Sequence, residues 1–288
     1  MTDRPAGSLV LVGTPIGNLG DLSPRAVEAL RTADVIAAED TRRTRALMSH
    51  AGIQAGRRLR AVHAHNEAAT ADRVVAEIRG GARVAVVTDA GMPGISDPGG
   101  RLVRACLDAG LLVEAVPGPS AALTALVLSG LPADRFVFEG FLPRKGRARA
   151  ERLEAVAGES RTTILFEAPP RVHATLVDLA AACGPQRPVA VARELTKAFE
   201  EVWRGTLTAA VQHVERSEPR GEYVIVVGPA PERAPAGDAE IEAAVRAALA
   251  EGRTARDAAS DVANALGVAR RQAYEVATRL KGSRRRGG

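Results

Sequence analysis

Val84-Ala-Val-Val87 runs directly into Thr88-Asp-Ala-Gly-Met-Pro-Gly-Ile-Ser-Asp-Pro-Gly-Gly100, an apolar run followed at once by a loop dominated by glycine and proline. Four consecutive apolar residues bounded by turn formers predict a strand buried on both faces, as in a parallel sheet covered by helices. Glycine lets backbone amides and carbonyls approach a ligand closely, and proline fixes the path. A structural turn needs only a few such residues, so the longer run Asp89–Gly99 points to a ligand. In open α/β sheets ligands bind beyond the carboxyl ends of the strands, which is where this loop falls.

Working outward, the same pattern recurs twice. Leu9-Val-Leu-Val12 is followed by Gly13-Thr-Pro-Ile-Gly-Asn18, and Leu112–Val116 by Pro117-Gly-Pro-Ser-Ala121. The first of these loops lacks the Gly-Lys-Ser/Thr ending of a phosphate-binding loop and is not G-x-G-x-x-G, so it gives no support to a nucleoside triphosphate or dinucleotide. Between the loops lie helical segments. Ser23 reads as an N-cap with Pro24 in the first turn, Asp34–Ala38 as a strand, Thr41–Ala51 as a helix, and Asn66 as the start of a helix stopped at Gly80-Gly81. A further helix runs from Gly100 to Ala109, and another follows Pro119. Strands alternating with amphipathic helices predict an α/β domain over residues 1–131 with a mostly parallel sheet.

From Phe136 the pattern restarts, with strands expected at Phe136–Glu139, Thr162–Phe166, Val189–Glu194 and Tyr223–Val227 and helices at Arg147–Val156 and Arg171–Ala182. This predicts a second α/β domain over 132–228. Pro229, Pro231, Pro235 and Gly237 mark a stiff linker over 229–238. Residues 239–282 read as a small all-helical module. In it Thr254-Ala-Arg-Asp257 is a capping-box variant, Gly267 is a break, and Arg270–Arg279 has the length of a recognition helix. Two readings of this module stand side by side, a nucleic-acid contact and a plain packing unit. Residues 283–288 form a basic tail.

The composition, 46% hydrophobic and 25% charged, is that of a globular protein, and 288 residues suffice for large cores without disulfide or metal staples. Cys106 and Cys183 belong to no ligand cluster and read as thiols in a reducing compartment. The start of the chain lacks the apolar core of a signal peptide, and the longest apolar stretch, around Ala121–Leu128, is far too short to span a bilayer. A cytoplasmic protein without a membrane partner is the expectation. The net charge of +5, carried mostly by arginine, suits a polyanionic partner but equally reflects an arginine-rich composition.

Eight segments, in order, resemble the tetrapyrrole-methylase superfamily and, within it, the ribosomal RNA small subunit methyltransferase I branch. They are Gly13–Asp21, Ala38-Glu-Asp-Thr-Arg42, His65-Asn-Glu67, Asp89–Gly99, Pro117–Ser120, Phe166-Glu-Ala-Pro-Pro-Arg171, Ala192-Arg-Glu-Leu-Thr-Lys197 and Gly221–Val227. The resemblance implies two α/β domains with S-adenosylmethionine folded into the cleft between them. It also implies methyl transfer to the ribose 2′-hydroxyl of a cytidine in the decoding region of 16S rRNA, an acceptor in the small ribosomal subunit, and a homodimer. It assigns Thr14, Pro15, Asp89, Ala90, Gly91, Met92, Ile95, Ser120 and Ala121 to the cofactor from the first domain, and Phe166, Ala192, Tyr223 and Val224 from the second. The chain departs from the branch at Phe166–Arg171, where a tyrosine and a histidine of the usual run are missing, so no role is carried over that needs that histidine's proton. It departs from the tetrapyrrole enzymes themselves at Asn18, which stands where they have an acid. Asn18 cannot take a proton but can orient a hydroxyl.

For the chemistry, the candidates are Asp40 and Asp21 as proton acceptor and Asn18 as orienting group. Asp40 reads equally as the cap of the helix starting at Thr41, and Asp21 as a turn residue. Substrate contacts are expected from Arg42, Arg43, His65, Asn66, Arg144, Lys145, Arg171 and Lys197, with Asn66 also suited to capping a helix. Arg42 and Arg43 crowd a helix start, which needs nearby anions, either Glu39 and Asp40 or RNA phosphate. His63 and His65 lack the partners of a metal site. With aromatics at 3%, recognition by arginine and RNA shape is favoured over base stacking. Two other functions are compatible with the sequence: a methylase of a tetrapyrrole or other small molecule, and a non-enzymatic ribosome- or nucleic-acid-binding factor with a degenerate cleft.

Overall fold

In the computed structural model, which describes residues 7–63, 66–216, 218–231 and 236–285 with side chains as far as 281, the apolar strands of the first half form one parallel sheet. Its elements are β1 (Ser8–Val12), α1 (Pro24–Thr32), β2 (Val35–Ala38), α2 (Thr41–His50), β3 (Leu59–Ala61), α3 (Glu67–Arg79), β4 (Arg83–Val87), α4 (Gly100–Asp108), β5 (Leu112–Val116) and α5 (Ala121–Ser129). The strand order is β3-β2-β4-β1-β5, every neighbouring pair parallel. Strand alternation sends Val10, Val12, Ile36, Ala38, Ala85 and Val87 to one face, against Leu30 of α1 and Met48 of α2. Leu9, Val35, Ala37, Val84 and Val86 go to the other, against Val74 and Ile78 of α3 and Leu102 and Cys106 of α4. Two-sided burial is why these strands read as continuous apolar runs. Ser23 caps α1 as expected, its hydroxyl accepting from the Ala26 amide at 3.1 Å.

The start of α4 needs outside help. Its N-cap position is Gly99, at φ 132°, and glycine has no side chain to receive the free amides of the first turn. Glu67, the first residue of α3 and only 5% exposed, supplies the acceptor instead. Its Oε1 accepts from the amides of Gly99 at 2.9 Å, Arg101 at 2.8 Å and Leu102 at 3.2 Å. The carboxylate also sits at the positive end of the α4 dipole, a second favourable effect. Asn66, expected to cap α3 with its side chain, does not. Its backbone is already helical, and its amide folds back on the preceding turn, accepting from the His63 amide at 2.8 Å and donating to the Ala61 carbonyl at 3.1 Å.

The second half contains β6 (Phe136–Phe141), α6 (Arg147–Gly158), β7 (Thr162–Glu167), α7 (Val172–Cys183), β8 (Pro188–Arg193), β9 (Glu201–Thr206), α8 (Leu207–Glu215) and β10 (Tyr223–Val227). The sheet order is β6-β7-β10-β8-β9, with β6 and β7 parallel and the remaining pairs antiparallel. One face packs Leu165, Val191, Tyr223 and Ile225 against α7 and α8. The other packs Ile164, Ala190, Ala192, Val224 and Val226 against Ala122, Ala125 and Leu126 of α5 and against Ile16. The helix α5 therefore closes the second sheet as well as following β5, and residues 1–230 form one unit in which the two α/β halves share a core.

The described residues of the second unit, which starts at residue 231, form three helices: α9 (Asp238–Ala250), α10 (Ala255–Leu266) and α11 (Arg270–Arg285). Ile241, Val245, Ala259, Val262, Ala273, Val276 and Ala277 make its core. Thr254 caps α10, its hydroxyl accepting from the Asp257 amide at 3.2 Å and donating to the Asp257 carboxylate at 2.7 Å. Gly267 ends α10 in the left-handed conformation. Helix α9 begins at Asp238, inside the expected linker, while His65, Pro235 and Arg286 lie outside the described residues. Among the described residues no helix is long and apolar enough to cross a membrane.

Replacing Glu67 by alanine strands the α4 amides, and we expect a loss of about 1–3 kcal/mol in urea unfolding. Glu67→Gln, which keeps an oxygen acceptor, loses less; equal losses would show that the carbonyl geometry, not the missing acceptor, dominates.

Candidate functional site

The loops after β1, β4 and β5 meet at the carboxyl edge of the first sheet, and glycine makes the meeting possible. A Cβ on Gly13 would lie 2.6 Å from the Gly118 amide nitrogen and 2.8 Å from Met92 Sδ, and a Cβ on Gly118 would lie 2.8 Å from Gly13 Cα. The two backbones are thus in direct contact with no room for a side chain. Hydrogen bonds lock the crossing. Gly13 donates to the Val116 carbonyl at 2.9 Å, while Thr14 and Gly91 exchange backbone bonds at 2.9 and 3.1 Å. The buried Thr14 hydroxyl donates to the Thr88 carbonyl at 3.2 Å. Gly91, at φ 76°, takes a conformation that side chains disfavour. Ser120 caps α5, accepting from the Leu123 amide at 3.4 Å. Thr14, Pro15, Ala90, Gly91, Met92, Ser120 and Ala121 are thereby gathered into one cradle, with Ile95 on its exposed side, 51% accessible.

The second half reaches this cradle through Ala192–Lys197. Glu194 and Thr196 hold positive φ, 52° and 65°, and the Thr196 hydroxyl accepts from the Asn18 amide at 3.0 Å. Gly17 packs so closely on this loop that a Cβ would sit 2.6 Å from Thr196 Oγ1. Lys197 is held by Glu194 at 2.8 Å and Glu222 at 3.0 Å, which makes it a clamp of the loop. Phe166, Ala192 and Val224 lie on the face turned to the first half. Tyr223 does not join them. The period of two along β10 places its side chain on the opposite face, buried with Leu176 and Val214 and turned away from the first half.

The titratable groups divide by environment. Asp40 is the N-cap of α2: its carboxylate accepts from the Arg42 amide at 2.7 Å and from the Arg42 guanidinium at 3.1 Å. The Arg42 side-chain bond, followed by the backbone bond, holds its pKa below the usual carboxylate value. Asp21 is exposed at the end of a single 3-10 turn, and Asn18 caps that turn by accepting from Gly20 at 2.9 Å. Arg43 pairs with Asp89 at 3.4 Å. Arg171 is tied to the buried Glu167 at 3.2 Å and to the Leu142 carbonyl at 2.9 Å, which gives it a structural task in the second half. Arg144 and Lys145 stand exposed at the tip of the β6–α6 connection.

Sequence reasoning passed over Asp97. This half-buried carboxylate lies in the glycine-rich loop, between Ser96 at φ 63° and the buried Pro98. Burial first, and then repulsion from Glu39, Asp89 and Glu222, pushes its pKa up to about 7. Those neighbours come from the end of β2, the start of the same loop and the approach to β10, so both halves contribute. Asp97 makes no hydrogen bond or ion pair with another described residue, whereas Asp89 has Arg43 and Glu222 has Lys197. Among the described residues no group of His, Cys, Asp and Glu could hold a metal ion. The signal in the sequence was the Asp-Pro-Gly end of the loop, but the repelling neighbours are remote in sequence.

The family model for Tetrapyrrole (Corrin/Porphyrin) Methylases matches residues 8–211. The chain is 46% identical over 277 residues to a ribosomal RNA small subunit methyltransferase I of Synechocystis, covering 96% of this chain and 99% of that one. It is 53% identical over 223 residues to the protein of the same name in Xylella fastidiosa, covering 77% and 81%. The solved uroporphyrin-III C-methyltransferase of Thermus thermophilus, complexed with S-adenosyl homocysteine, matches the fold at a TM-score of 0.56 and 22% identity, covering 77% of this chain and 97% of that one.

Gly118→Ala forces the two loops apart and is expected to cost about 1–3 kcal/mol in urea unfolding. Gly100→Ala, where an added Cβ meets nothing within 4 Å, serves as the near-neutral control.

Proposed function

Because the chain belongs to the tetrapyrrole-methylase family and, within it, to the ribosomal RNA small subunit methyltransferase I group, we propose that it methylates 16S rRNA with S-adenosylmethionine, at the ribose 2′-hydroxyl of a cytidine in the decoding region. The observation that carries this reading is the 46% identity sustained over 96% of the chain, through both halves and into the helical unit. The acceptor in this reading is the RNA within the small ribosomal subunit, and the working form is a cytoplasmic homodimer.

The residues present suit the cofactor. Asp89 Oδ1 is buried without a hydrogen-bond partner among the described residues, an open acceptor for an amine or hydroxyl in a loop whose glycines admit close approach. Thr14, Pro15, Asp89, Ala90, Gly91, Met92, Ile95, Ser120 and Ala121 would hold the cofactor from the first half, and Phe166, Ala192 and Val224 from the second. When bound, S-adenosylmethionine supplies a methyl group already activated by its sulfonium. The protein's own tasks are to orient the hydroxyl, exclude water and receive one proton. Orientation alone is worth on the order of 7–11 kcal/mol in such transfers.

Asp97 is the proton acceptor in this reading. Asp40 is a weak base, since Arg42 and the α2 amides already stabilise its charge. A carboxylate with a pKa about 7 matches the working pH of a general base. Asn18 orients the hydroxyl, because its side-chain Oδ1 is engaged by Gly20 and its backbone amide by Thr196, which leaves the side-chain Nδ2 without a hydrogen bond to the described residues. Arg42, whose side chain is 87% exposed, together with Arg43, Arg144 and Lys145, meets RNA phosphate.

Labelled methyl transfer to unmodified small subunits, followed by nuclease mapping, tests the reaction; label on a cytidine 2′-oxygen of the decoding region is expected, and transfer only to a tetrapyrrole would overturn it. With Asp97 as base, kcat rises with pH through about 7, and Asp97→Asn lowers it by about 10²–10⁴-fold and flattens the profile. The same raised pKa sets a stability trend. Protonated Asp97 is favoured in the fold, so its contribution is full below the ordinary aspartate value of 3.8 and is lost as pH rises through about 7. Asp97→Asn should therefore raise Tm at pH 8 relative to the parent; an unchanged Tm would sink the assignment of the raised pKa.

A further inference from the structure

Helix α11 divides its surface sharply. Ala273, Val276, Ala277 and Leu280 face the core of the helical unit. Arg270, Tyr274, Thr278 and Lys281, spaced by four, four and three residues, share another face. Tyr274 is 50% exposed on it; the chain has two tyrosines, and the other, Tyr223, is buried. Tyr274 is also the single aromatic residue in the sequence of the helical unit, and it is not spent on that unit's core.

The charges around it are segregated. Arg279 pairs with Glu242 at 2.8 Å, Arg246 with Glu242 at 2.7 Å, Arg253 with Asp261 at 2.8 Å and Arg271 with Glu275 at 2.9 Å. Arg270 and Lys281 have no carboxylate partner among the described residues, and both flank Tyr274. Along the sequence α9 carries Asp238, Glu240 and Glu242 against Arg246, while α11 carries Arg270, Arg271, Arg279, Lys281, Arg284 and Arg285 against Glu275. The unit is therefore a small bundle with one acidic helix and one basic helix, and the basic one presents an aromatic ring between unpaired cations.

We propose that the Arg270–Tyr274–Lys281 face of α11 binds unpaired RNA of the acceptor, the two cations meeting phosphates and the tyrosine ring stacking on a base. Cations alone would suit any polyanion. The ring between them favours a ligand that has both phosphates and exposed bases. This deepens the RNA-acceptor reading above and rests on it. The face acts in binding, and the chemistry stays with the glycine-rich loops.

The test uses the full chain and three variants, Arg270→Glu/Lys281→Glu, Tyr274→Ala and Tyr274→Phe, with anisotropy titration of a 16S rRNA fragment containing the decoding-region loop over a range of salt. Cofactor binding by calorimetry and thermal unfolding verify that each variant is folded. The charge reversal should weaken RNA binding at least tenfold and reduce the salt slope by about 1.4, two phosphate contacts on a single strand. Tyr274→Ala should weaken it about 5- to 100-fold with little change in slope, and Tyr274→Phe should restore it. In methyl transfer, both disruptive variants should raise KM and leave kcat unchanged. Unchanged affinity and slope in folded variants would overturn the proposal. So would a loss seen with assembled subunits but not with the RNA fragment, which would assign the face to a ribosomal protein. Should the parent bind the fragment through this face yet methylate no rRNA, the reaction reading fails while the surface stands.

Discussion

The contact between Gly13 and Gly118 is the constraint on which the site depends. Two backbones pass within van der Waals distance because neither carries a Cβ, and the Thr14–Gly91 exchange then draws the third loop to the same point. Without that crossing, β1, β4 and β5 would still pair, since their ladder is independent of the loops. The carboxyl edge would then end in separate turns rather than one cradle. The ladder makes the fold, and the glycine contact makes a place for a ligand.

A second consequence follows from packing three loops so tightly: few side chains are left to satisfy helix ends. The Asp89–Gly99 loop ends in a glycine that cannot cap α4, and Glu67 fills that position from another helix. The loop is thereby tied to α3 at its far end as it is tied to Thr14 at its near end. Fixed at both ends, it holds Asp97 among Glu39, Asp89 and Glu222 even though the like charges repel. Such clustering of unfavourable electrostatics is tolerated only where surrounding structure over-determines the backbone, and it is a usual mark of a chemical site.

The join between halves has the same logic. Helix α5 lies under the second sheet with Ala122, Ala125 and Leu126, while Gly17 and Asn18 lean on Thr196. The second half thus places Glu222 near Asp97 and Phe166, Ala192 and Val224 on the side of the first half. Its mixed sheet presents only alternate residues to that side, which is why Tyr223 and Val224, adjacent in sequence, serve different cores.

Much of this was legible along the chain. The apolar runs of β1, β2, β4, β5 and β10, the Ser23-Pro24 start, the Thr254–Asp257 cap and the three glycine-rich loops are local signals, and the resemblance of eight ordered segments pointed to the family. Strands β3 and β9 were not legible, because short or polar edge strands carry no periodic apolar pattern, and α8 was overlooked although Leu207, Ala210 and Val214 repeat at helical spacing. By itself the sequence determined the alternation of elements, the loops and the family, since these follow from nearest-neighbour chemistry and ordered motifs. Only the tertiary structure decided that Arg171 and Lys197 are internal clamps, that Tyr223 faces away and that Asp97 is the carboxylate with raised proton affinity. Each of those involves a group remote in the chain, Leu142 for Arg171, Glu222 for Lys197, α7 and α8 for Tyr223, and Glu39 and Glu222 for Asp97, and such burial and repulsion exist only after the chain has folded.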